Sequence, residues 1–163
     1  QKFRWIVIKL ITADLPEKYL SNFSYEEQQQ DWQNLLKGLK EVILYVAEAR
    51  TREIVGYALG IHNPREIPPF ESELVAIHIR QDVQRCGFGG LLFAAVCTSL
   101  NAQGNNSMFL WVLVENPACN FYEKLGGKII AKKPWDNNTY FHTNIHEIAY
   151  SWEDITIFIR TKN

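Results

Sequence analysis

The sequence predicts a single α/β domain whose mixed β-sheet is partly parallel in its middle. Its 163 residues are enough for one hydrophobic core. Helical and strand-like segments alternate, and a strand-helix-strand-helix unit over residues 73–126 indicates parallel neighbours. Hydrophobic residues make up 47% and charged residues 21%, values that argue against a mainly disordered chain.

The first half predicts a strand, a helix and a hairpin. Arg4 to Leu10 is rich in β-branched and aromatic residues, as strands are. Ser24 and Glu27 have the spacing of a capping box. Behind them a helical face is formed by Trp32, Leu35, Leu36 and Leu39. Glu41–Glu48 and Glu53–Ile61 are β-rich runs joined by four residues, which predicts a hairpin. Residues 62–70 contain three prolines and predict a loop.

The second half predicts further strands around two helices. Glu73–Ile79 is predicted as a strand, and Gly89–Gln103 as a helix. Its apolar stripe comprises Phe93, Val96, Cys97 and Leu100. Met108–Val114 is nearly continuously apolar, as expected of a strand buried on both faces. Asn116-Pro117 favours the start of a short helix and Gly126-Gly127 its end. Strand-like segments follow at Lys128–Lys132 and His146–Ile159.

Composition and charge exclude several functional classes. A formal net charge of -1 gives no bulk basic field for nucleic acid. The apolar run Trp5 to Ile11, interrupted by Lys9, is too short to span a bilayer and lacks a cleavage site, so we expect no membrane segment and no signal peptide. Three cysteines without a CxxC pair argue against a disulfide framework and favour the reducing cytoplasm.

A glycine turn between the predicted strand and helix is the first candidate site. Residues 84–90 read QRCGFGG, and they precede a helix N-terminus, where unpaired amides and the helix dipole favour phosphate. A Walker A loop is excluded because no Gly-Lys-Ser/Thr follows. A dinucleotide fingerprint is disfavoured because position 92 is Leu and no acidic residue ends a strand about 20 residues later. A plain helix-capping turn remains the simplest alternative.

Two motifs together resemble the GNAT superfamily, the GCN5-related N-acetyltransferases. Residues 84–89 follow Q/R-x-x-G-x-G/A, the pattern of the superfamily's pyrophosphate loop. Residues 110–127, LWVLVENPACNFYEKLGG, resemble its next block, and the resemblance extends over roughly residues 13–155. It implies a GNAT fold, a mixed central sheet flanked by helices with parallel splayed strands at the centre. It further implies acetyl transfer from acetyl-CoA to a primary amine of a small molecule or peptide, by direct attack in a ternary complex. Homodimers are common in the family.

The resemblance also implies a cofactor site. The strand ending in Ile77, His78 and Ile79 would pair with the pantetheine arm. The pyrophosphate would be ringed by the turn, namely Gln84, Arg85, Cys86, Gly87, Phe88, Gly89 and Gly90. Arg85 is otherwise a solvated surface charge. Asn116 would bond the pantetheine or its ordered water, or act only as a helix cap.

Two residues take catalytic roles by the same resemblance. Tyr122 matches the family's thiolate-protonating Tyr, and its alternative is an aromatic packed beside Phe121. A phenol suits this role because its pKa lies above that of a thiol. Glu73, 11 residues before Gln84, matches the base of the histone-acetylating branch. Its alternatives are a residue that only binds a cationic acceptor and a surface acid at the strand end. Glu71 is a weaker candidate.

Other features leave alternatives open. His142 and His146 have the spacing of metal ligands on a helix, but no third ligand is evident and we expect no metal. Cys97 and Cys119 resemble core residues more than nucleophiles. About a dozen residues precede the segment ADLPEKYL, so we expect either that Arg4–Leu10 replaces the family's first strand or that its first helix is shortened or missing. The rival functions are a non-catalytic acyl-CoA-binding module and a nucleotide- or NAD-binding enzyme.

Overall fold

The computed structural model describes residues 30, 42–62, 64, 66–135 and 145–159. Within these residues the elements follow in the order β1 (Val42–Glu48), β2 (Ile54–His62), β3 (Ser72–Ile79), α1 (Phe88–Ala102), β4 (Met108–Leu113), α2 (Cys119–Lys124), β5 (Lys128–Pro134) and β6 (His146–Trp152). Short 3-10 helices lie at Gln81–Val83 and Thr156–Phe158. None of the helices described here is long and apolar enough to cross a membrane.

The strands form one mixed sheet in the order β1-β2-β3-β4-β6-β5. Every neighbouring pair is antiparallel except β3 and β4, which run parallel. That parallel ladder contains only two residue pairs, Ser72 with Met108 and Glu73 with Phe109. Beyond these pairs β3 and β4 are splayed, and they leave a wedge between their C-terminal halves. The predicted parallel, splayed centre is therefore confirmed.

The core lies between the sheet and one face of α1. The predicted apolar stripe of α1, Phe93, Val96, Cys97 and Leu100, is buried, and Leu92 is buried beside it. Phe93 makes edge contacts with the rings of Trp152 and Phe158, at centroid distances of 5.1 and 5.0 Å. Because Trp152 belongs to β6, this ring cluster ties α1 to the far half of the sheet.

Most predicted elements are found within a few residues of their expected ends. The hairpin, the strand before the glycine turn, the long helix and the apolar strand are all present. The predicted end of the short helix at Gly126-Gly127 is confirmed, since Gly126 has a left-handed backbone with φ 77°. Gly126 and Gly127 donate to the carbonyls of Glu123 and Tyr122 at 2.9 and 3.0 Å, as in a Schellman motif.

Two predicted boundaries are wrong. The short helix begins at Cys119 and not at Pro117, because Asn116 and Pro117 form a turn ahead of it. The last strand ends at Trp152 and not at Ile159, because Asp154 Oδ1 accepts from the amide and hydroxyl of Thr156 at 2.8 and 2.5 Å and starts a 3-10 turn. The predicted strand Arg4–Leu10, the capping box Ser24–Glu27 and the helix behind it lie outside the described residues.

Candidate active site

The glycine motif forms the turn that leads from β3 into α1. Arg85 and Gly87 have left-handed backbones, with φ of 62° and 88°. The amide of Leu91 donates to the carbonyl of Gly87 at 3.1 Å, so helical bonding begins there. The three amides that follow Gly87 have no acceptor within the helix and point out of its N-terminus. This end of α1 is therefore suited to an anion.

The glycines of this turn have different surroundings. A Cβ atom at Gly87 or Gly90 would meet nothing within 4 Å, so the space beside both residues is open. A Cβ atom at Gly89 would lie 3.4 Å from the ring of Phe121. Gly87 and Gly90 thus leave room for a ligand close to the backbone, whereas Gly89 lies against α2.

Side chains around the turn fix its shape. Gln84 Nε2 donates to the carbonyl of Ile79 at 3.0 Å, which ties the turn to the end of β3. Arg80 donates to both carboxylate oxygens of Asp82, at 2.6 and 2.9 Å. Arg85 and Cys86 are exposed, and the Cys86 thiol is free. The residues predicted from the motif are thus together, with the Gln84 amide bonded within the protein.

The wedge between β3 and β4 opens beside this turn. Ile77 and Ile79 are half-buried and pack against the core cluster. His78 stacks on Tyr57, with ring centroids 6.2 Å apart and planes 17° from parallel. Burial lowers the pKa of His78 to about 4, so its imidazole is neutral at pH 7. His78 therefore packs on the sheet, and its backbone is what it can offer a ligand.

Asn116 caps the turn that precedes α2. Its Oδ1 accepts from the amide of Ala118 at 2.7 Å, and its carbonyl accepts from the amide of Cys119 at 3.0 Å. Its own amide donates to the carbonyl of Leu113, at the end of β4. The capping role is therefore present, and Nδ2 of Asn116 is left for a further partner.

Tyr122 is a residue of α2, and its side chain lies in a cluster of aromatic rings. It is 6% exposed, and its ring lies 5.4 Å from that of Phe121 and 5.8 Å from that of Tyr150. The hydroxyl of Tyr150 donates to Glu123 at 2.8 Å, and burial together with this bond raises the pKa of Tyr150 above its ordinary range. Tyr150 is thus bound to a neighbouring carboxylate, and both its burial and this bond hold the hydroxyl proton.

Glu73 lies on the sheet face opposite α1. Its neighbour Leu74 belongs to the core beneath α1, and side chains alternate along a strand. Burial raises the pKa of Glu73 to about 7, and the charge of Glu66 adds to the rise. Lys133 lowers this pKa and Glu147 raises it, both to a smaller extent. A carboxyl group with this pKa can accept a proton near pH 7, as a general base must.

A cluster of charged residues beside Glu73 could not be predicted from the sequence. Lys133 Nζ lies 2.6 Å from Glu66 Oε1 and 3.3 Å from Glu147 Oε1. The same nitrogen lies 4.2 Å from the ring centroid of Trp111. Lys133 and Glu147 are cross-strand partners in β5 and β6. Glu147 lies in a predicted strand and Lys133 directly follows one, but the register that pairs them cannot be read from the sequence.

The other candidate residues have structural surroundings. Glu71 Oε2 accepts from the amide of Asn106 at 2.6 Å. Burial raises the pKa of Cys97 to about 12, and the Cys119 thiol donates to the carbonyls of Leu113 and Val114. Neither thiol is therefore suited to act as a nucleophile.

The two histidines considered as metal ligands are not both described. His146 begins β6, and His142 lies outside the described residues. In the part of the chain that the structure describes, no group of His, Cys, Asp and Glu could hold a metal ion.

Comparison with known proteins gives a consistent result. Residues 65–136 match the FR47-like protein family. The uncharacterized N-acetyltransferase YuaI of Bacillus subtilis is 29% identical over 142 residues, which cover 87% of this chain and 78% of that protein.

Solved structures share the fold at lower identity. An acetyltransferase assigned to the GNAT family, from Desulfovibrio desulfuricans, is 18% identical, with a TM-score of 0.64 over 95% of this chain and 94% of that one. An aminoglycoside 6'-N-acetyltransferase complexed with coenzyme A is also 18% identical, with a TM-score of 0.65 over 98% and 93% of the two chains.

Proposed function

We propose that this chain, which has the GNAT fold and an FR47-like segment, is an N-acetyltransferase that transfers an acetyl group from acetyl-CoA to a primary amine. The resemblance and the fold predicted from its two motifs are confirmed by the matched family and by the GNAT structures. The observation that carries the proposal is the wedge between β3 and β4, with a glycine turn and a helix N-terminus beside it. The relative YuaI is itself named an N-acetyltransferase.

The residues around the wedge fit coenzyme A. The open space at Gly87 and Gly90 lets phosphate oxygens approach the amides of the turn, and Arg85 adds a positive charge. The backbone of Ile77, His78 and Ile79 borders the wedge and would hold the pantetheine amides. When bound, acetyl-CoA supplies the activated acetyl group as a thioester. Coenzyme A is also present in the aminoglycoside acetyltransferase structure.

Acid and base then act from opposite sides of the sheet. Glu73, on the face opposite α1, takes a proton from the incoming ammonium, directly or through water, and leaves a neutral amine. Tyr122 is in the aromatic cluster on the α1 side, and its hydroxyl supplies the proton that the leaving sulfur needs. Amine and thiol thus use separate sides of the wedge, which suits direct attack within a ternary complex.

The acceptor is a small-molecule or peptide amine. The three carboxylates of Glu66, Glu73 and Glu147 outnumber the single ammonium of Lys133 beside them, and this balance favours a cationic acceptor. We further propose a single acetyltransferase domain, acting in the cytoplasm without membrane or nucleic acid and able to form a homodimer. Its cytoplasmic location is inferred from its three unpaired cysteines.

A thermal-shift assay with acetyl-CoA, with NAD as the control ligand, tests the cofactor. An amine panel scored by release of free thiol then tests the reaction. We expect acetyl-CoA to raise the melting temperature, and at least one amine to release thiol above the hydrolysis background. Stabilisation without turnover on any amine would instead support the acyl-CoA-binding module. Stabilisation by NAD and not by acetyl-CoA would overturn the proposal.

A further inference from the structure

Lys133 links two parts of the protein that the wedge separates. Its ammonium pairs with Glu66, in the loop that leads into β3, and with Glu147 on β6. The loop continues into the β1-β2-β3 half of the sheet, whereas β5 and β6 belong to the other half. Lys133 therefore bridges the wedge on the face that carries Glu73.

The bridge is held in place by three contacts and is only partly exposed. The Lys133 side chain is 32% exposed, and that of Glu147 is 15% exposed. The ring of Trp111 lies under the ammonium. Partial burial lowers the pKa of Lys133, but its hydrogen bonds to Glu66 and Glu147 outweigh this effect and the net pKa is raised. Lys133 thus stays charged between two carboxylates and offsets part of their negative charge.

Glu73 depends on this balance of charges. Its ladder partners are Ile61 on β2 and Phe109 on β4, and neither is charged. The nearest titratable residue on β2 is His62, which pairs with Ser72. Among the described residues, the charges that act on Glu73 are therefore those of Glu66, Lys133 and Glu147.

We propose that Lys133 is a positioning residue for the base Glu73: it clamps the Glu66 loop to β5 and β6, and it offsets part of the negative charge that these two carboxylates place near Glu73. This role rests on the proposed acetyltransferase function. Without the ammonium, Glu66 and Glu147 would face Glu73 uncompensated. The ionised form of Glu73 would then be disfavoured, and fewer molecules would hold a base at neutral pH.

Opposite-sign variants test the proposal. Lys133→Gln removes the cation, so we expect the acidic limb of the kcat/KM profile to move up by about one pH unit. At pH 7 this leaves about one-fifth of the wild-type rate, which recovers at high pH. Glu147→Gln removes an anion and should move the same limb to lower pH. Lys133→Arg should restore the wild-type position, and Lys132→Gln, on the exposed neighbour, should leave it unchanged.

The Glu73 carboxyl is also titrated directly by carbon-detected NMR, which needs no turnover. We expect its midpoint to shift in the same opposite directions, while the Kd for acetyl-CoA stays unchanged. Equal midpoints in wild type, Lys133→Gln and Glu147→Gln would overturn the proposal, as would shifts in one common direction. If the wild type acetylates no amine, the proposed function fails, but the NMR midpoints still decide the role of Lys133.

Discussion

Glu73 and Tyr122 lie in contrasting surroundings, and these decide how each can take part in a reaction. Glu73 is a carboxyl group beside other charges, with a pKa raised to about 7, mainly by burial. Tyr122 is surrounded by aromatic rings and is nearly inaccessible to solvent. The protonation of Glu73 therefore depends on nearby charges, whereas the position of the Tyr122 hydroxyl depends on the packing of the rings around it. Their variants should therefore fail in different ways.

Replacing Tyr122 with Phe removes one hydroxyl and keeps the ring that packs on Phe121 and Trp152. If the hydroxyl protonates the leaving thiol, kcat should fall by about a hundredfold while the Kd for acetyl-CoA stays within about twofold. Steady-state thiol release and calorimetric titration measure these two quantities. Tyr150→Phe is the matched control, because its hydroxyl bonds Glu123. Equal losses in both variants would point to a packing role for Tyr122.

The proposed base predicts a dependence on pH. Activity of the wild type should rise through about pH 7 as Glu73 ionises. In Glu73→Gln this limb should disappear, and kcat/KM at pH 8 should fall by about a hundredfold. Glu71→Gln is the control, since Glu71 bonds a backbone amide. A wild-type limb that persists in Glu73→Gln would contradict the role of Glu73 as base.

The same substitution should change stability in a defined pH window. The folded pKa of Glu73 lies above its unfolded value of about 4.5, so the native state binds more protons between pH 4.5 and 7. Wild-type stability should therefore fall as the pH rises through this window, by up to about 3 kcal/mol. Glu73→Gln lacks this titrating carboxyl, so its free energy of unfolding should not fall in this way. Urea unfolding at pH 5 and pH 8 compares the two proteins.

At the scale of elements, the turn into α1 joins two separate properties of glycine. Gly87 needs its left-handed backbone, with φ 88°, to start the helix. Gly90 lies within the helix and has no positive φ, so the backbone alone does not require glycine there. What distinguishes Gly90 is the open space beside it, where a phosphate is proposed to bind.

Gly90→Ala should therefore stabilise the fold and weaken cofactor binding. Alanine is the better helix former, by about 0.5–1 kcal/mol, and its Cβ would stand in the proposed phosphate space. We expect a higher melting temperature without ligand and an about tenfold weaker Kd for acetyl-CoA. Gly104→Ala, at φ 88°, should instead lose stability and leave the Kd unchanged. Unaltered affinity in Gly90→Ala would move the phosphate away from this turn.

Features formed by neighbouring residues could be predicted from the sequence, whereas contacts between distant residues could not. The hairpin, α1 and its buried stripe follow from periodicity and turn residues, which are properties of neighbouring residues. The glycine turn and the Asn116 block were recognisable because each is continuous in the chain. The cluster of Lys133, Glu66 and Glu147 was not, since Glu66 and Lys133 are 67 residues apart and meet only through strand order and register.

At the scale of the molecule, the sheet consists of two halves with a weak backbone junction. In the part of the chain that the structure describes, strand pairing joins the halves β1-β2-β3 and β4-β6-β5 through only two residue pairs, those of the parallel ladder. Side chains therefore help to hold them together, among them Lys133 on one face and the aromatic cluster under α1 on the other. The wedge proposed to hold the cofactor can persist because contacts on both faces of the sheet join the two halves.

Phe93 provides the central ring of that aromatic cluster. Its replacement therefore tests whether the cluster joins the two halves of the sheet. Phe93 is 1% exposed and contacts Phe121, Trp152 and Phe158. Phe93→Ala should lower the free energy of unfolding by about 3–5 kcal/mol, because the cavity would lie where the two halves meet. Leu91→Ala, on the exposed side of α1 at 46% exposure, should change it by less than about 0.5 kcal/mol. Urea unfolding measures both, and similar values would show that the halves are joined elsewhere.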